Sequence, residues 1–103
     1  MLILSFDVGL KNLAYCKYDT QTDSILSWCV ETVQVENKKV EKSMVQFLSD
    51  TFKDIHYDLV LIEKQPVKNN KMRLIECLLH VFFLLKTPDI QIAYRNNQEE
   101  NDV

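Results

Sequence analysis

Glycine is almost missing from this chain: Gly9 is the only one among 103 residues. A loop that cradles phosphate needs several glycines where the backbone approaches the ligand, so glycine-rich nucleotide-binding folds are excluded. Proline is confined to Pro66 and Pro88. No repeat, low-complexity tract or interdomain linker divides the chain, and its length suits one domain. Cysteine is limited to Cys16, Cys29 and Cys77, an odd number at wide spacing without a C-x-x-C. They read as reduced core thiols of an intracellular protein, and with His56 and His80 they do not have the spacing of a zinc site. Long apolar runs are absent too. The longest, Cys77 to Leu85, is broken by His80 and falls short of the roughly 18 residues of a membrane helix. The first lysine is Lys11, so the start of the chain has no basic region of the kind that opens a signal peptide, and secretion and cleaved targeting are not expected.

What remains is the composition of a globular protein, 47% hydrophobic and 26% charged. A net charge of −3 argues against a general nucleic-acid binder, but the charge is uneven. Lys64, Lys68, Lys71 and Arg73 fall within ten residues that contain no acid, while the stretch Gln98 to Asp102 is polar and acidic. The basic segment therefore says more than the total.

Residues 1–7 form a near-continuous apolar run, expected to be a strand buried on both faces. Residues 9–12 turn the chain, 13–18 form a second strand, and the polar stretch 19–24 joins it as a hairpin to a third over 25–33, with Glu31 facing solvent. The period then changes. Val40, Met44, Phe47, Leu48, Thr51, Phe52 and Ile55 recur at spacings that mark one helical face. Residues 58–63 form a short fourth strand, and Pro66 stops it. A helix capped by Asn69 or Asn70 and running to Lys86 is apolar around most of its circumference, with one polar stripe of Asn69, Arg73, Glu76 and His80. Such a helix is either central to the core or covered by a partner. Residues 89–94 form a fifth strand. The order is β-β-β-α-β-α-β, an α/β fold with a mixed five-stranded sheet. A helical crossover would set strand four parallel to strand one.

Two acids stand out. Asp7 ends the first apolar run just before Gly9, and Glu63 ends the apolar run 59–62 in the same way. A carboxylate at the end of a core strand is costly unless paired, and a divalent cation is a suitable partner. If strands one and four are neighbours, both acids lie at the carboxyl edge of the sheet, where functional residues of open α/β sheets collect.

The residues Ser5-Phe6-Asp7-Val8-Gly9-Leu10-Lys11-Asn12-Leu13-Ala14 resemble the S-x-D-x-G-x-K-N-x-A opening of RuvC-like Holliday junction resolvases, especially the poxvirus and mitochondrial branches. Val60-Leu61-Ile62-Glu63-Lys64-Gln65 resembles their I-E-R/K-Q block. Each block is weak alone; together, in this order, they are specific to the family. The resemblance implies an RNase H-like nuclease core over residues 1–94, followed by a polar acidic tail over 95–103. It also implies metal-dependent cleavage of four-way DNA junctions with Mg²⁺ or Mn²⁺, an intracellular or viral replication site, and a homodimer through the 69–86 helix. In the family four carboxylates bind two ions, so that one activates water and the other stabilises the leaving oxygen. Asp7 corresponds to the bridging ligand and Glu63 to a ligand of one ion. The other two acids lie on a late helix beyond the fifth strand, which this chain lacks, so half of the site is expected here. Lys11, Asn12, Lys64, Gln65, Lys68, Lys71 and Arg73 are candidate contacts to DNA. Two alternatives stand beside the resolvase: a junction-binding remnant without catalysis, and an RNase H-like nuclease of the ribosomal RNA processing type.

Overall fold

The computed structural model describes residues 1–9, 12–32, 40–64 and 70–96. Seven elements follow one another: β1 (Leu2–Val8), β2 (Asn12–Asp19), β3 (Ser24–Thr32), α1 (Val40–Phe52), β4 (Leu59–Lys64), α2 (Asn70–Lys86) and β5 (Gln91–Asn96). This is the expected order. The strands form one mixed sheet in the order β3-β2-β1-β4-β5. β1 is antiparallel to β2 and parallel to β4, which is in turn parallel to β5.

Alternation in β1 sends Leu4, Phe6 and Val8 into the core and turns Ile3, Ser5 and Asp7 to the other face. The expectation of a strand buried on both faces is therefore corrected. Among the described residues the helices cover one face only, leaving Ile3 and Ser5 half-buried and Asp7 exposed. On the covered face, Leu13 and Tyr15 of β2 and Val60 and Ile62 of β4 meet Val40, Met44, Leu48 and Phe52 of α1. Those four recur every fourth residue, and Glu41 in the first turn suits the positive end of the helix dipole. α1 ends at Phe52, three residues short of Ile55, which is half-buried beyond it. α2 contributes Met72, Ile75, Leu79 and Phe83 to the same core.

Two further expectations change. Glu76, on the polar stripe of α2, is buried rather than facing solvent or a partner: it is only 8% exposed. Cys29 packs against the core, but Cys16 lines the open face beside the acids and Cys77 lies exposed on α2, so neither is a core thiol. All three cysteines are free.

The hairpin between β2 and β3 turns through Asp23, at a φ of 51°. A short polar side chain tolerates this left-handed conformation. The Asp19 carboxylate accepts from the Gln21 amide at 3.0 Å, and the Tyr18 hydroxyl donates to Asp23. At the same end of the sheet, Asp58 sets the β1–β4 register. Its amide donates to the Leu2 carbonyl at 2.9 Å, and its carboxylate accepts from the Leu2 amide at 2.7 Å.

Tyr57 lies in this core, 1% exposed, and its hydroxyl has no hydrogen-bond partner among the described residues. Burial pushes its pKa up to about 12. Burial, then the Cys29 thiol, pushes Tyr15 to about 12 as well. An unsatisfied buried hydroxyl costs about 1–3 kcal/mol, so Tyr57→Phe is expected to raise stability by about 1 kcal/mol in urea denaturation at pH 7. The folded chain holds these two phenol protons more tightly than the unfolded chain does. Stability is thus full below pH 10 and falls as the pH rises toward 12, and Tyr57→Phe shallows that fall.

Candidate metal centre

Asp7 and Glu63 are paired residues of the parallel β1–β4 ladder. Neighbouring strands are about 4.8 Å apart, and residues in register point to the same face. Both acids therefore stand side by side on the open face, at the carboxyl edge of the two central strands. The local sequence enforces this. Phe6 and Ile62 precede the acids and are fully buried on the covered face, so the following residue in each strand must point the other way.

Gly9 ends the approach. Its amide donates to the Asn12 carbonyl at 2.9 Å, and a Cβ placed on Gly9 would lie 2.9 Å from that same oxygen. The glycine is required by this close approach and not by a positive φ, since no glycine here has one. The result is a reversal directly after Val8 that starts β2 at Asn12 beside the acids. A shallow open cleft of about 360 Å³ contains both acids together with Ser5, Cys16, Ile25 and Trp28.

The other sequence candidates are placed as follows. Asn12 is exposed at the start of β2. Lys64 is the last residue of β4 and Lys71 lies in the first turn of α2, while Lys11, Gln65 and Lys68 lie outside the described residues. Arg73 is exposed, but it lines a different cleft with Glu76, Cys77, His80 and Tyr94. There the His80 ring stacks on Tyr94 at 17°, and its Nδ1 lies 2.7 Å from the Tyr94 hydroxyl. Burial, then the Glu76 carboxylate, raises the pKa of Tyr94.

Two features escaped the sequence reading. Arg95 belongs to β5, which continues to Asn96, and its partner in register is Glu63. The period-two series Gln91, Ala93, Arg95 carried the signal, but a strand ended at Tyr94 hides it. The open face beside the acids is also apolar: Trp28 is 71% exposed, with Ile25 and Val30 exposed near it on β3. A half-covered sheet can only be seen once the helices are placed.

The donor chemistry suits one hard divalent ion: two carboxylates in register, open to solvent, leaving the remaining positions to water. Among the described residues it does not suit two ions. Among the described residues no group of three or more His, Cys, Asp or Glu side chains is placed to hold a metal.

Sheet order, crossover and two acids at one carboxyl edge define the RNase H-like fold. Among solved structures, Thermus thermophilus RuvC superposes with a TM-score of 0.72 at 11% identity, over 93% of this chain and 64% of that one. The same enzyme in complex with a Holliday junction substrate gives 0.68 at 10% identity, over 99% and 68%. Fowlpox virus resolvase, solved with its substrate Holliday junction DNA, gives 0.61 at 26% identity, over 91% and 60%. The chain thus spans 60% to 68% of the length of these structures. No curated protein matches it in sequence. The family model described as Poxvirus A22 protein matches residues 1–97. The chain belongs to that family, a RuvC-like Holliday junction resolvase family, and RuvC-like resolvases depend on divalent metal. No helix among the described residues is long and apolar enough to cross a membrane.

Proposed function

We propose that this chain acts as a Holliday junction resolvase, a structure-selective DNA endonuclease whose Asp7 and Glu63 hold Mg²⁺ or Mn²⁺. The observation that carries this reading is the pairing of Asp7 with Glu63 at one carboxyl edge, in a chain of this family. When bound, such an ion supplies Lewis-acid chemistry: it neutralises phosphate charge and lowers the pKa of water. The two carboxylates hold and orient it, and the open cleft admits a DNA backbone. Asn12 and Gln65, with the basic residues Lys11, Lys64, Lys68, Lys71 and Arg73, contact phosphates and position the duplex without reading its sequence. In this reading the nuclease core extends through β5 to Asn96, two residues beyond the expected boundary, and the polar acidic tail follows it. The outer side of α2, where Val81, Leu84 and Leu85 are exposed, pairs with a second copy. A two-fold dimer matches the two symmetric strands that a four-way junction offers for cleavage.

A second reading, a module that binds junctions without cutting them, is favoured by the presence of two carboxylates among the described residues where two-ion cleavage calls for more. One experiment decides between them. The protein is incubated with a labelled four-way junction and with a linear duplex of the same sequence, in Mn²⁺ and in EDTA. The endonuclease reading expects nicks placed symmetrically in the junction only, and only with metal. Retention of the junction without nicks supports the binding module. Equal affinity for the duplex and the junction overturns both.

A further inference from the structure

The ladder that pairs Asp7 with Glu63 continues one strand further and pairs Glu63 with Arg95. Three parallel strands thus present carboxylate, carboxylate and guanidinium in one row, at one height and on one face. Neighbouring backbones lie about 4.8 Å apart, which sets Arg95 within one side-chain length of Glu63 and of anything bound between the acids. Arg95 is exposed at the outer edge of the row, on the edge strand of the sheet. A phosphate approaching an ion held by Asp7 and Glu63 therefore meets the guanidinium beside it. The planar fork of arginine suits two oxygens of one phosphate.

We propose that Arg95 is a substrate-binding residue of this centre. In the metal-free protein it is the counter-cation of the acid pair. Once a divalent ion occupies the carboxylates, it holds a DNA phosphate next to that ion. The proposal rests on the metal reading of Asp7 and Glu63. It assigns to β5, beyond the two acidic motifs, the placing of the phosphodiester. The two roles have opposite signatures. A fixed positive charge within one side-chain length of the ion opposes metal binding, whereas the same charge favours DNA.

The test compares wild type, Arg95→Gln, Arg95→Lys and Asp7→Asn, each as the full chain with the fold checked by circular dichroism. Isothermal titration with Mn²⁺ alone is expected to show roughly threefold to thirtyfold tighter binding in Arg95→Gln. This gain should shrink at high salt, because the site is exposed. Binding of a four-way junction in saturating Ca²⁺ is expected to weaken about tenfold in the same variant. Arg95→Lys keeps the charge and so keeps the wild-type Mn²⁺ affinity, but it lacks the fork and stays weak on DNA. A loosened fold would weaken both ligands, and that result overturns the proposal. Unchanged Mn²⁺ affinity or unchanged junction binding in Arg95→Gln overturns it too, while the metal reading survives if Asp7→Asn loses Mn²⁺. If Asp7→Asn binds Mn²⁺ as wild type does, the metal reading itself has failed and the proposal falls with it.

Discussion

Asparagine in place of Asp7 is expected to cost at least about a hundredfold in Mn²⁺ affinity and to remove any metal-dependent nicking. Losing a partner that merely orients a metal ligand typically costs about 10–100-fold, and Asp7 is proposed as a direct ligand. The amide keeps the shape of the side chain and removes its charge, which leaves Glu63 to hold a hard cation alone. Folding should not suffer. Asp7 is exposed, and surface substitutions usually fall within about 0.5 kcal/mol. Like charges in register on neighbouring strands repel, so metal-free stability should hold or rise slightly. The separation between binding and folding gives a clean readout. An ion at 100 times its Kd stabilises the folded chain by about 2.7 kcal/mol. The melting temperature of the wild type should therefore rise with added Mn²⁺, while that of Asp7→Asn should not. Glu63→Gln is expected to behave alike, since both acids serve one ion. A melting shift that persists in Asp7→Asn would place the ion elsewhere and remove the basis for a metal centre at this edge.

Much of this centre was legible in the residues themselves. Apolar runs that end in an acid put Asp7 and Glu63 at strand ends, and a helix of crossover length between them required a parallel pair. What the residues alone could not give was relative height. A shift of one position would have set Asp7 against Ile62 and turned the two acids to opposite faces. The two hydrogen bonds between Leu2 and Asp58 hold the register that aligns them. Burial was harder to read. An apolar run looks the same whether one face or both are covered, so β1 was expected to be wholly interior, and its open side emerged only from the placement of both helices on the other face. Glu76 is the reverse case: a charged residue on an otherwise apolar helix looks solvent-facing, yet tertiary packing buries it. Arg95 was missed at an element boundary, where local pattern is least informative and pairing with a neighbouring strand decides where a strand ends.

The covered side of the sheet makes its own prediction, centred on Phe52 at the last turn of α1. Its ring is fully buried and meets five others: Phe6 at 5.6 Å, Tyr15 at 5.2 Å, Phe47 at 6.1 Å, Tyr57 at 6.2 Å and Phe83 at 5.8 Å. The contacts to Phe6, Tyr15, Phe47 and Tyr57 are edge-on, the arrangement that the charge distribution of aromatic rings favours. These partners come from β1, β2, α1, the segment before β4 and α2, so one side chain ties both helices to the central strands. Phe52→Ala is expected to cost about 3–5 kcal/mol, through lost burial and the cavity left behind. A domain of this size has about 5–15 kcal/mol in total, and a loss of that order lowers the melting temperature by roughly 12–40 °C. Phe52→Leu keeps most of the volume and should lose clearly less. Thermal and urea denaturation followed by circular dichroism would measure both. The consequence reaches the acids. Phe6 contacts Phe52 directly and precedes Asp7, so a core that yields at Phe52 loosens the strand that positions the carboxylate. Mn²⁺ affinity should therefore fall in Phe52→Ala even at temperatures where the chain is still folded. An alanine variant that melts like wild type would show that the aromatic cluster does not hold α1 to the sheet.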